Sequence, residues 1–520
     1  MRIESRDGER RPSERSSMNS LWRHLRGARE TELFGPRGRL PSRGEPDTAP
    51  RTALLVLAAI TAAGFALRLA VPRGIWLDEA ISVHQANLSL SDMMENLQYG
   101  DRHPPLHHVV LWLTVKAFGD GELAIRLPSL IAGTLVIPAL FMLGRELYDR
   151  RTGLVAAAFG AASPLLIWYA QEARMYAFVT LFGLLALWTQ LRVIRRPTML
   201  AWACYILATS ALLLSHYFGL LLIGVQQLIW VGVLLHTWRA GHRLRPLALG
   251  FAYSLAVLVM QLLPLLTFAQ KQFDSTAGAA GSPAGTYESI SFYAVVSNIA
   301  WALWGYHPDG TTELLAAGWP LLLLLSLLLL GRGGSRQTII LAVAAISPIV
   351  MLIGVSLYDR ELFEVRYFLV AVPLLFLLMA RLVTGWIRGP SARLAVAGAI
   401  VFTLLLGLYD QQTNDGNPRL YDFRGALEEI KADAGPRSLL LNEPPDMRYV
   451  LEYYAPGLRS RPLRDGAPGR SEGSPVFVLA SFQDNEKFFD RTNRIVGQMA
   501  FQRRLLRRFE KPQAKVWEFR

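Results

Sequence analysis

From residue 53 onward, apolar residues gather into blocks of about twenty that are nearly free of Asp, Glu and Lys. A helix of that length covers the roughly 30 Å hydrocarbon core of a bilayer. The pattern therefore predicts an α-helical polytopic membrane protein of about eleven spans. These lie near 53–72, 125–147, 152–171, 175–194, 199–215, 217–237, 246–268, 313–331, 337–357, 366–387 and 391–409. Pro104 to Phe118 is also apolar, but its 15 residues would cover only about 22 Å as a helix, and they include His107, His108 and Lys116. We read this stretch as a helix lying at the interface.

Loop charges test that register, because a spanning helix at 104–118 would flip the side of every later loop. With the stretch left at the interface, five short loops on one side collect thirteen arginines, at 145, 150, 151, 192, 195, 196, 239, 243, 245, 332, 336, 388 and 393. Beyond the 73–124 loop, the opposite loops hold only Arg174, Lys271, Arg360 and Arg366. Such an excess marks the cytoplasmic side. The N-terminal 1–52 segment, polar with twelve arginines and no apolar block, falls on the same side and reads as a disordered basic cytoplasmic tail. It lacks the apolar core and cleavage site of a signal peptide. Outer loops 73–124 and 269–312, and everything after the last span, then face outward.

Beyond residue 409 the periodicity changes. Ser438 to Asn442 and Val476 to Ala480 read as strands, Asp446 to Ala455 and Asn485 to Met499 as helices, and Leu505 to Phe519 as one or two further antiparallel strands. Residues 410–520 are expected to form a small extracytoplasmic α/β domain, with no Gly-rich phosphate loop. Within the 269–312 loop, Ser275 to Gly285 is small and polar, and Ile290 to Tyr306 is apolar and aromatic. The second part fits an interfacial helix with an aromatic belt, or a lid over a lipid groove.

Composition narrows the class. Of 520 residues, 52% are apolar and 18% charged, and the mean hydropathy is +0.26, against about 25% charge in soluble chains. A soluble enzyme and a fibre are excluded, and the lone Cys204 excludes a disulfide framework or cysteine zinc site. The net charge of +13 is explained by inner-face arginines rather than nucleic acid. Arginine outnumbers lysine 48 to 6, which suggests a GC-rich bacterial genome and hence a bacterial cytoplasmic (inner) membrane.

Three charged constellations fall at the outer ends of the spans, where charge is costly unless used. Asp78 and Glu79 follow the first span; adjacent acids there also suit a helix N-terminus. Arg102, His103, Pro104, Pro105, His107 and His108 open the interfacial helix, with the prolines suited to a first helical turn and the histidines to a divalent metal shared with Asp78 or Glu79. Glu172 and Arg174 end a span, beside Trp168, Tyr169 and Tyr176, where a boundary ion pair with an aromatic belt accounts for them equally well.

Taken in order, the motifs resemble the GT-C-fold glycosyltransferases that use lipid-linked sugars, in the branch of protein O-mannosyltransferases and lipid A aminoarabinose transferases (glycosyltransferase family 39-like). The resemblance rests on Leu77-Asp78-Glu79-Ala80, then His103-Pro104-Pro105-Leu106, then Phe118-Gly119 with Glu122, Arg126, Pro128 and Ser129. It continues through Ser163-Pro164 and Gln171-Glu172-Ala173-Arg174-Met175-Tyr176 to Arg366-Tyr367, and covers most of 53–390. It implies a membrane catalytic domain over 53–409 and a polyprenyl-phosphate-linked donor. It also implies inverting transfer of a hexosyl or pentosyl unit to a hydroxyl on a lipid, glycan or protein. Asp78 matches the family's catalytic Asp and is expected to be the general base, with Glu79 orienting it or the acceptor. His103, Arg174 and Arg366, backed by Arg102 and Arg126, are expected near the leaving phosphate, with Tyr176 and Tyr367 beside them. His103 stands where the lipid A enzymes carry Lys, so an imidazole would replace a fixed cation. Glu172 would hold Arg174 or, with Asp78 and His107, a divalent ion. The rival from another class is a lipid-linked-sugar transporter or flippase. It predicts charges buried mid-span and an internal repeat, and the sequence has no repeated half.

Overall fold

The protein is described from a computed structural model over residues 49–70, 73–100, 103–242, 244–278, 292–306, 318, 336–358, 364–417, 419–463, 475–481 and 486–520. Expectations for the 1–48 tail, the 313–331 span and Arg102 lie outside these residues. So does most of the small, polar 275–285 run. The helices are α1 (Pro50–Leu69), α2 (Leu77–Asn87), α3 (Leu90–Gly100), α4 (Leu106–Phe118), α5 (Glu122–Leu147), α6 (Arg150–Ala162), α7 (Pro164–Ala170), α8 (Tyr176–Arg195), α9 (Met199–Ser215), α10 (Gly219–Arg239), α11 (Arg245–Gly278), α12 (Phe292–Trp304), α13 (Arg336–Tyr358), α14 (Val372–Trp386) and α15 (Pro390–Thr413).

Among the described residues seven helices are long and apolar enough to cross a membrane, or eight if α6 and α7 form one bent span. The chain is a multi-pass membrane protein. α9 and α14 are apolar but shorter than the other spans; the expected 366–387 block opens with a 3-10 turn at Val365–Val370 before α14 begins. α4 keeps the 13-residue length expected of a helix too short to span.

The expected span at 152–171 is broken by 61° at Ser163. Pro164 has no N–H to give to Gly160, and Ser163 Oγ instead accepts the Leu166 N–H as an N-cap. The carbonyls freed at the end of α6 find a cation. Arg68, 1% exposed, donates to the carbonyls of Ala161 and Gly160 (both 3.3 Å) and to its own helix at Gly64 (2.8 Å). α5 and α6 touch through glycine: a Cβ on Gly153 would lie 2.7 Å from the Phe141 carbonyl oxygen, so the backbones approach as small-residue membrane interfaces do.

The outer loop 73–124 is mostly helical. α2 and α3 were not foreseen as helices, and α2 packs on α4, where Trp112 donates to the Leu88 carbonyl (3.1 Å). After α15 come α16 (Phe423–Asp433), β1 (Leu439–Glu443), α17 (Arg448–Tyr454), β2 (Ser460–Pro462), β3 (Val476–Ala480), α18 (Glu486–Gln502), β4 (Leu505–Lys511) and β5 (Ala514–Phe519). The sheet order is β2-β1-β3-β5-β4, with β2, β1 and β3 parallel and β5 and β4 antiparallel. Alternate residues face opposite sides. Leu440, Phe477 and Val516 pack under α16 and α17, while Leu441, Val478 and Phe519 meet Ile495 and Met499 of α18. The first of these cores continues without a break into Ile75, Ala80, Val83, Leu111 and Ile125 of the α2–α5 region.

Candidate active site

The site is built at the end of the bundle where α2 begins. The extended stretch before α2 ends at Trp76, and Glu79 in the first turn accepts its N–H (3.3 Å). That turn leaves Asp78 28% exposed at the side chain and Glu79 buried. Glu79 takes a bidentate pair from Arg126 on α5 (2.8 and 2.7 Å) and the Ala173 N–H (2.8 Å). Arg126 in turn donates to the carbonyls of Arg73 (2.5 Å) and Gly74 (2.9 Å). Glu79 and Arg126 therefore clamp three strands of chain together, and Asp78 alone of the acidic pair is left open to a substrate.

Opposite Asp78 stands Arg366 of the 3-10 turn, 3.6 Å from its Oδ2. Arg366 also donates to the Tyr176 hydroxyl (3.2 Å) and pairs with Glu364 (2.5 Å). Glu364 reaches Arg419 (3.9 Å), which donates to the Tyr169 hydroxyl (2.6 Å). Burial alone would raise Glu364; the Arg366 and Arg419 charges outweigh it and hold the carboxyl below its ordinary range. Arg174 lies on the other side, donating to Ser82 Oγ (2.9 Å) and meeting His103 Nδ1 (3.2 Å). Tyr367 and His103 both face His216, which also lies against Tyr176.

Glu172 is buried, with no hydrogen-bond partner at Oε2. Burial pushes its carboxyl up to about 7, offset in part by Arg73. Arg73 stacks on Trp168 (3.5 Å) and is itself pushed down to about 10 by burial. Five arginines (73, 126, 174, 366 and 419) thus face four acids (78, 79, 172 and 364). The arginines outnumber the acids by one, so the site carries a cationic excess suited to a phosphate.

Asp78, Glu79, His103, Arg126, Glu172, Arg174, Tyr176, Arg366 and Tyr367 are therefore brought to one place. His107 is not: it is buried on α4 against His108 and Phe178. Among the described residues no three acids, histidines or cysteines form a metal-holding group, the Asp78, Glu172 and His107 set included. Glu364, Arg419, Arg73 and His216 had not been singled out from the sequence. Glu364 could have been, since it stands two residues before Arg366.

The fold has known counterparts. The structure superposes on ArnT from Cupriavidus metallidurans in its apo state with a TM-score of 0.56 and 14% identity, over 91% of this chain and 98% of that one. The same protein bound to undecaprenyl phosphate gives 0.55 and 13%, over 90% and 98%. The chain has the GT-C glycosyltransferase fold. Archaeal oligosaccharyltransferase AglB from Archaeoglobus fulgidus, in complex with an inhibitory peptide and a dolichol-phosphate, shares this GT-C fold at a TM-score of 0.51 and 14% identity, over 86% and 72%. Residues 102–267 match the family model described as dolichyl-phosphate-mannose-protein mannosyltransferase. No curated protein sequence matches the chain.

Proposed function

We propose that the protein is a glycosyltransferase that moves one sugar from a polyprenyl-phosphate donor to an acceptor hydroxyl, with inversion, at the outer face of the membrane. The observation that carries this reading is the opposition of Asp78 and Arg366 at 3.6 Å inside a cluster of buried arginines. Asp78 removes the proton from the acceptor hydroxyl as its oxygen bonds to the anomeric carbon. The bond from that carbon to the phosphate oxygen breaks, and the electron pair leaves with the phosphate. Arg366, hydrogen-bonded to Tyr176 and Glu364, is held where the growing negative charge can be met, with Arg174 and His103 on the far side. One carboxylate is sufficient, since the phosphate needs no proton to leave. The undecaprenyl phosphate bound to ArnT and the dolichol-phosphate bound to AglB support a lipid-linked donor here.

The test is donor consumption in lipid nanodiscs across a panel of radiolabelled polyprenyl-phosphate sugars. Wild type is expected to release polyprenyl phosphate, and Asp78→Asn to lose about 10²–10⁴-fold of the rate. Transbilayer movement of intact donor without turnover, unchanged in Asp78→Asn, would replace this reading with the flippase.

A further inference from the structure

Away from the arginine cluster, a second opening lies between α2, α3 and the C-terminal domain. It is an open cleft lined by Ile81, His84, Gln85, Asn96, Asp446 and Tyr449. Its position in the C-terminal domain is informative. β1 is the middle strand of the parallel set, and the chain leaves it toward β2 on one side and returns as β3 on the other. Asp446 lies three residues past the end of β1. Beyond the carboxyl ends of parallel strands, where connections diverge, is where open α/β sheets place their ligands.

The lining chemistry points to a class. Asn96 offers an amide donor and acceptor, Asp446 accepts, and His84 adds a ring nitrogen. Tyr449 forms an aromatic wall held by Arg448, which donates to its hydroxyl (2.6 Å), and by the His84 ring 4.9 Å away. His84 Nδ1 is turned to Glu452 (3.0 Å). Among the described residues no lysine or arginine lines the cleft, and with Asp446 in its wall and Glu452 beside it an anion is disfavoured. Mixed donors and acceptors on a small apolar floor suit hydroxyl groups, which both give and accept hydrogen bonds.

The cleft is also tied to the reacting centre by one rigid element. Asp78, Ile81 and Gln85 stand at i, i+3 and i+7 on α2, one face of a helix, and seven residues span about 10 Å. That is more than a single sugar ring covers.

We propose that this cleft is an acceptor subsite for a neutral sugar unit, so that the acceptor is a glycan of at least two residues whose terminal hydroxyl reaches Asp78. This rests on the transferase reading and names its acceptor class. The test uses the full chain in nanodiscs and measures binding of mono- to tetrasaccharides of mannose, glucose, galactose and arabinose by saturation-transfer NMR, with inorganic phosphate as competitor. At least one di- or longer saccharide should bind, and Asn96→Ala and Asp446→Ala, both at exposed positions, should each weaken it about fivefold or more. Ile81→Trp, which fills the floor, should abolish it. Release of polyprenyl phosphate to water should be unchanged in Asn96→Ala and Asp446→Ala. The proposal is overturned if wild type binds none of these saccharides, if the cleft variants bind as wild type, or if inorganic phosphate displaces the sugar. Saccharide binding by a protein that consumes no donor would uphold the subsite and sink the transferase reading, so the two fail separately.

Discussion

Glu79 and Asp78 are neighbours in sequence with opposite duties, and the difference can be measured. Glu79 is 1% exposed and accepts four hydrogen bonds, two of them from Arg126, which is itself 8% exposed. Glu79→Gln keeps the shape but leaves the guanidinium buried without its counter-charge and turns an amide donor toward donors. Breaking such a buried pair costs about 3–5 kcal/mol. Arg126→Gln should cost a similar amount, because it strands the carboxylate instead. The double variant Glu79→Gln/Arg126→Gln removes both charges, so its loss should fall short of the sum of the single losses by about 1–3 kcal/mol. Denaturant or thermal unfolding in detergent, read on all four proteins, gives the cycle, with donor consumption measured beside it. If both single variants unfold like wild type while losing all turnover, Glu79 acts on substrate and the structural assignment is wrong. Additive single losses would equally show that the clamp is not a unit.

Two further outcomes follow from buried charge. Because burial raises Glu172 in the folded protein to about 7, the folded state binds the extra proton, and stability falls as pH rises from about 4.5 to 7 and is level above. The difference is at most about 3 kcal/mol; Glu172→Gln should flatten the dependence and unfold at a higher temperature than wild type at pH 8. A wild-type unfolding temperature level between pH 5 and 8 would contradict this. Arg68→Leu strips the carbonyls of Gly160 and Ala161 of their donor and should cost about 1–3 kcal/mol for each group left unsatisfied. Wild-type thermal unfolding of this variant would show that the α6–α7 break needs no cation.

How far the sequence carried depends on whether a signal is local. The strand at Val476–Ala480 could be placed to the residue, because five apolar β-formers are bounded by polar turns. The outer acids and arginines could be grouped because loop charge fixes their side of the membrane. What failed was long-range. Arg419 belongs by composition to the C-terminal domain, yet it bonds Tyr169 across 250 residues and pairs with Glu364. No pattern in either segment announces that pairing. Arg68 is a single charge near the end of a span, and its partners are backbone carbonyls freed by a proline 96 positions away, which carry no sequence signature. The bend at Ser163 was marked by Pro164, but an unbroken apolar block from 152 to 171 concealed it.

The C-terminal domain is bonded to the stretch that carries Asp78. Tyr454 on α17 accepts the Ile75 N–H (2.7 Å) and donates to Glu122 (2.7 Å), which also pairs with Arg424. Tyr421 stacks on Trp76 at 5.6 Å and 10°. Ile75 and Trp76 are the residues that lead directly into the turn bearing Asp78, so the domain fixes where that turn begins. Tyr454→Phe removes one hydroxyl that answers both the Ile75 N–H and Glu122. The loss should be about 1–3 kcal/mol, too small to unfold a chain whose shared core runs from Val83 to Leu451. A misplaced reacting group can lose up to about 100-fold in rate, so kcat should fall much further than the unfolding temperature does. Donor KM should stay near wild type, because the Arg366, Arg174 and His103 face is untouched. If KM rises with kcat unchanged, the domain governs donor binding and not the position of Asp78; if neither moves, Ile75 and Trp76 are held well enough by the Glu79–Arg126 clamp alone.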